Sequence, residues 1–167
     1  RTGIQRATGS VICTLDADCA YDPAFLKVML SHLEPHVDIV SAAALHPQGG
    51  FAVHIPEYRL FLSRAIVALY NILLGKKLYS YTCMVRAYRG DAIRAINIES
   101  NNFLAMSEIM VKALLNGNTV VELPAVNNFR KFGTSKIKLL KVMRAHALFL
   151  IKLCGHRLKI INLCLSR

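Results

Sequence analysis

The feature that most constrains this chain is the run from Ser10 to Leu15 (SVICTL), apolar and β-branched, which stops abruptly at Asp16-Ala17-Asp18. Such a run is the pattern of a buried parallel strand with both faces covered. Asp22 and Pro23 then offer an N-cap and a first-turn residue for a helix through Phe25, Met29, Leu30 and Leu33. Val37 to Leu45 returns as a second buried strand. Strand, helix and strand joined by short links predict a parallel α/β sheet flanked by helices. They also put two carboxylates at a strand's C-terminal end, where open sheets of this kind bind ligands.

The remaining pattern continues in the same style. Gly9 stands where it would stop a short opening helix. Between Glu57 and Leu74 the apolar residues recur at helical spacing and predict a long helix closed by Gly75. A strand over Thr82 to Tyr88, a short helix over Asp91 to Ile96, a helix from Leu104 to Leu115 stopped by Gly117, and a strand over Thr119 to Leu123 complete the body. A last helix is expected from about Ile137 to Leu153. At 167 residues, one domain burying roughly 70% of its unfolded surface is the economical size.

Charge is unevenly distributed. The formal net charge is +11, yet residues 126 to 167 carry 10 of the 21 Lys and Arg and none of the 10 acids. A near-neutral body with a basic end calls for an anionic partner: a phosphorylated substrate, an anionic membrane surface or nucleic acid. The 5 cysteines include no C-x-x-C pair, which argues against a disulfide framework or a zinc site and for a reducing compartment. No P-loop or nucleophile elbow is present. The apolar run from Ala65 to Gly75 is too short to span a bilayer.

Three groups of residues could carry chemistry. Asp16 and Asp18, two apart in an extended segment, can converge on a hard divalent cation such as Mg²⁺ or Mn²⁺, or can simply cap the following helix. Glu108 lies among Met106, Ile109 and Met110, where burial would raise its pKa and suit it to general-base work; alternatively it is an exposed acid paired to Lys112 at i+4. Arg86 and Arg89 flank a strand end, and Arg130, Lys136 and Lys138 surround the Gly133-Thr134-Ser135 turn, a pattern suited to phosphate oxygens or to plain surface charge.

The order of these segments, VICTLDADCAYDP, LYNILLGKKLYSYTCMVRAYR, FLAMSEIMVKALLNGNTVVELP and FRKFGTSK, resembles the later half of a family 2 glycosyltransferase, in the branch of dolichyl- and polyprenyl-phosphate sugar transferases. The resemblance runs from Arg1 to about Leu153. It implies a GT-A (Rossmann-like), mostly parallel sheet with flanking helices, and inverting sugar transfer from a nucleotide-diphosphate-sugar donor to a lipid phosphate or other acceptor. It implies Asp16 and Asp18 as metal and diphosphate ligands, with Mg²⁺ or Mn²⁺ as cofactor. Glu108 falls at the catalytic or site-organising carboxylate, and Arg86, Arg130, Ser135 and Lys136 at contacts to donor or acceptor phosphate. Peripheral attachment at the cytoplasmic membrane face is expected, with no nucleic-acid partner; a basic module without chemistry, binding anionic lipid or nucleic acid, is the alternative.

The chain also departs from that pattern. Ala20 stands where many relatives carry a metal-contacting Gln, and Met106 where many carry an Asp. Residues 1 to 136 are expected to be an N-terminally truncated catalytic domain and residues 137 to 167 a basic amphipathic helical tail. The strands that hold the nucleotide base have no counterpart, so no turnover is expected from the 167-residue chain alone.

Overall fold

The computed structural model describes residues 1–52, 56–128 and 138–164. A short helix α1 (Thr2–Arg6) leads into β1 (Val11–Thr14), α2 (Phe25–Ser31) and β2 (Ile39–Ala43). A two-residue strand β3 (Phe51–Ala52) precedes the long α3 (Glu57–Leu74). Then come β4 (Arg86–Arg89), α4 (Gly90–Arg94), α5 (Leu104–Leu115), β5 (Val120–Pro124), a second two-residue strand β6 (Val126–Asn127) and α6 (Leu139–Arg157).

The main sheet has the order β1-β4-β2-β5, and β3 pairs with β6 beside it. β2 and β5 are parallel neighbours, whereas β4 runs antiparallel to both β1 and β2. Three of the four strands therefore point the same way, and β4 is inserted against them. The strand-helix-strand unit read from the sequence is present, but its two strands do not touch. β1 is consequently not a buried parallel strand: it is an antiparallel edge, with Ile12 buried and Val11 and Cys13 exposed. An apolar run does not specify its partner, which here comes from more than 70 residues away.

Cross-strand rows explain the two cores. Ile12, Tyr88, Ile39 and Val120 form one row, facing Ile66, Tyr70, Ile109 and Phe149 of α3, α5 and α6. The next row, with Ala87, Val40 and Val121, faces the opposite way onto Met29 of α2 and Val37. Covered on both faces, β2 is buried at all five positions. α3 and α5 have the bounds expected from periodicity, and Gly75 and Gly117 reverse the chain after them at φ of 63° and 84°.

Other boundaries differ. α1 ends at Arg6 with Ala7 as its cap, so Gly9 is not its stop. β4 starts at Arg86, four residues later than expected, because residues 82 to 85 lead into the sheet as irregular chain. Asp22 does take an N-terminal amide, that of Ala24 at 2.9 Å, although regular helix begins at Phe25 and only Met29 of α2 is fully buried. α6 continues to Arg157, and one face, His146, Phe149 and Leu153, packs into the body.

Candidate active site

At the end of the sheet where β1, β2 and β5 terminate, one cross-strand row is polar on every strand: Thr14, Arg86, Ser41 and Glu122. Arg86 is fully buried there. Its guanidinium donates to Ser41 Oγ at 3.3 Å, to the Met106 carbonyl at 2.7 Å and to the Tyr81 carbonyl at 2.8 Å. Arg86, expected from the sequence to contact phosphate, has no exposed surface here and ties the sheet to α5 and to the preceding loop.

Glu122, at the other side of this row, accepts the Tyr79 amide at 2.5 Å and the Ser80 amide at 2.8 Å. Burial pushes its carboxyl up from the ordinary value, against the two amides and the Arg86 charge. The loop after α3 is thus hung from the sheet at Tyr79, Ser80 and Tyr81. Asn71 adds a third hold, with its amide bonded to both backbone groups of Leu78 and to the Tyr81 hydroxyl. Neither Glu122 nor Asn71 stood out in the sequence; the signal was a single acid inside the otherwise apolar run Val120 to Leu123.

The Asp16-Ala17-Asp18 loop leaves β1 at the same edge. Cys19 takes a left-handed conformation at φ 53°, an uncommon one for a residue with a side chain, and the reversal lets Asp18 Oδ1 accept the Ala20 amide at 3.1 Å. Behind the loop, burial raises Cys83 and Tyr21, and the Asp16 charge contributes to both shifts. Asn128, next to the basic segment, donates its amide to the Ala20 carbonyl at 2.8 Å. Arg130, Ser135 and Lys136 lie outside the described residues.

Glu108 combines parts of both sequence readings. It pairs with Lys112 at i+4, at 2.7 Å, but both side chains are buried. Its two oxygens also accept the Glu99 and Ser100 amides at 2.9 and 2.8 Å. Burial alone would raise its pKa; Lys112 and the Ser100 and Glu99 hydrogen bonds outweigh that and hold it below the ordinary carboxylate value. The raised pKa expected for a general base is therefore corrected, and the carboxylate closes a loop onto α5.

Among the described residues no group of three or more His, Cys, Asp or Glu is placed to hold a metal, and no helix is long and apolar enough to cross a membrane. Two carboxylates fit the donor set of Mg²⁺ or Mn²⁺, ions that prefer oxygen and complete their coordination with water and substrate phosphate.

Comparison with known proteins bears on this edge. The family model for glycosyl transferase family 2 matches residues 1–96. Over 138 residues the chain is 29% identical to polyprenol monophosphomannose synthase of Mycolicibacterium smegmatis, covering 81% of this chain and 51% of that protein. Over 140 residues it is 31% identical to undecaprenyl-phosphate mannosyltransferase of Micrococcus luteus, covering 82% and 56%. The chain thus spans about half the length of these curated relatives. Glucosyl-3-phosphoglycerate synthase from Mycobacterium tuberculosis, solved with Mg²⁺ and uridine diphosphate, superposes with a TM-score of 0.61 at 13% identity, over 96% of this chain and 53% of that one. That likeness establishes the GT-A arrangement of sheet and helices.

Proposed function

Because the chain belongs to glycosyl transferase family 2, we propose that it serves the transfer of a sugar, with inversion, from a nucleoside diphosphate donor to a polyprenyl phosphate, aided by Mg²⁺ or Mn²⁺. The observation that carries the reading is the Asp16-Ala17-Asp18 loop, held by the left-handed Cys19 at the sheet edge and tied through Ala20 to Asn128. The acceptor class comes from the relatives, two of which are named for polyprenol and undecaprenyl-phosphate mannosyl transfer. A basic module without chemistry does not account for family membership.

In this reading Asp16 and Asp18 hold the divalent ion with the donor diphosphate. When bound, the ion supplies positive charge against the leaving diphosphate. Arg130, Ser135 and Lys136 are assigned contacts to phosphate oxygens of donor or acceptor. Arg86 and Glu108 are positioning residues, the first bracing the loop after α3 and the second closing the loop before α5. No general base is required of Glu108, since a phosphate monoester has its second pKa near ~6 and carries an ionised nucleophilic oxygen at neutral pH.

Residues 1 to 136 form the catalytic portion in this proposal, and the outer face of α6 meets an anionic membrane at its cytoplasmic side. That face exposes Leu140, Leu148 and Ile151 beside Lys141, Arg144 and Lys152, the composition of an interfacial helix. The test is incorporation of labelled sugar into polyprenyl phosphate by the protein expressed from its complete reading frame, with a panel of uridine and guanosine diphosphate sugars. Divalent-dependent incorporation that Asp16→Asn and Asp18→Asn each abolish supports the reading; incorporation unaffected by both overturns it.

A further inference from the structure

The carboxylate loop is gripped at both ends by one short stretch of chain, residues 83 to 85. At the entry, just before Leu15 and Asp16, Thr14 Oγ1 donates to the Met84 carbonyl, 70 positions further along the chain. At the exit, beyond Asp18, Tyr21 turns inward, and its hydroxyl is hydrogen-bonded to the Cys83 thiol. Cys83 Sγ donates in turn to the Val85 carbonyl at 3.9 Å, and that oxygen also accepts the Ala42 amide of β2 at 3.0 Å. Tyr21 thus reaches the middle of the sheet through one thiol.

The gripping stretch is itself fixed. The Cys83 amide donates to Ser80 Oγ at 3.2 Å, and the Ser80 amide is held by Glu122. Within the loop, the left-handed Cys19 and the Asp18 to Ala20 bond shape the turn, but they do not set where it stands relative to the sheet. The two grips do. Tyr21 and Cys83 are 7 and 9% exposed, so water competes little for their bond. Asp16 lies near enough for its charge to act on both groups, and burial keeps both neutral. A neutral pair can hold the loop without neutralising Asp16, as a cation in the same place would.

We infer that Tyr21 and Cys83 are positioning residues for the divalent ion: their hydrogen bond, together with the Thr14 grip, sets the place of the Asp16 and Asp18 carboxylates. The inference rests on the function proposed above, in which those carboxylates hold the ion.

The test has one readout without metal and one with it, both on the 167-residue chain. Hydrogen exchange of the metal-free chain follows the amides of residues 15 to 21 against those of α5. Tyr21→Phe removes the hydroxyl, Cys83→Ala removes the thiol, and Cys83→Ser keeps a group that can donate and accept. Tyr21→Phe and Cys83→Ala should each speed exchange of residues 15 to 21 about threefold or more, with α5 unchanged and Cys83→Ser close to the parent. Paramagnetic resonance of Mn²⁺ titrated with uridine diphosphate should show affinity weakened about threefold or more by the same two variants and restored in Cys83→Ser. The double variant should be no weaker than the weaker single one, as for two ends of one bond. Unchanged exchange in residues 15 to 21, or exchange that rises equally in α5, overturns the positioning role. Unchanged Mn²⁺ affinity in Tyr21→Phe and Cys83→Ala, where Asp18→Asn does weaken it, overturns the link to the ion. Locally faster exchange together with Mn²⁺ binding that is absent or indifferent to Asp18→Asn would keep the grip on the loop and remove the carboxylate reading.

Discussion

The side-chain amide of Asn71 satisfies both backbone groups of Leu78, accepting from its N–H at 3.0 Å and donating to its carbonyl at 2.8 Å. The same oxygen accepts the Tyr81 hydroxyl at 2.8 Å, so one side chain of α3 organises the loop between α3 and β4. Asn71→Ala should cost about 2 to 3 kcal/mol, since it leaves partly buried partners unsatisfied. Urea unfolding measures it, and a cost near zero would show that water replaces the amide.

Glu108 and Lys112 form a buried pair, and removing one partner of such a pair is strongly destabilising. Glu108→Gln should lose about 3 kcal/mol at neutral pH by denaturant unfolding. The folded-state pKa of Glu108 lies below its ordinary value of 4.5, so its contribution is complete above that value and is lost as pH falls through the lower, folded pKa. The gap between parent and variant should accordingly close on acidification below the ordinary carboxylate range.

His146 accounts for a separate pH window. Its Nδ1 lies 2.9 Å from the Tyr70 hydroxyl, and burial lowers its pKa from 6.5. The unfolded chain takes up a proton first as pH drops below 6.5, so this group makes stability fall from there toward the lower folded pKa and then level off. Imidazole proton shifts in the folded protein should show His146 titrating below the ordinary value of 6.5, and His146→Phe should remove this part of the pH dependence.

Tyr88, buried in the row between Ile12 and Ile39, has a hydroxyl with no hydrogen-bond partner among the described residues. Tyr88→Phe should raise stability by about 1 kcal/mol, because it removes an unsatisfied buried polar group without changing the ring. A loss in thermal unfolding would mean that the hydroxyl has a partner in solution.

What was legible in the sequence follows from range. Helical spacing with Gly75 and Gly117 as stops specified α3 and α5 to the residue, because those signals are local. β2 was legible for the same reason. The insertion of β4 between β1 and β2 was not, since no local pattern in Val11–Thr14 names Arg86–Arg89 as its partner. For the site, the Asp16-Ala17-Asp18 loop was visible, and so were both alternatives for Glu108, a buried carboxylate or an exposed partner of Lys112; that the pair itself is buried was not, and Arg86 read as a phosphate contact or plain surface charge because nothing local marks its burial. Asn71 and Glu122 act mainly through backbone groups of a loop, so the lone acid within Val120 to Leu123 marks Glu122 as unusual without naming its partners.

The central claim is that Asp16 and Asp18 hold a divalent ion with a nucleoside diphosphate. Electron paramagnetic resonance of Mn²⁺ titrated into the chain with uridine or guanosine diphosphate tests it most directly. The account predicts Mn²⁺ binding that the nucleotide strengthens and that Asp18→Asn weakens about tenfold or more, a loss of roughly 1.4 kcal/mol or above. Mn²⁺ binding that is unchanged in Asp18→Asn would contradict it.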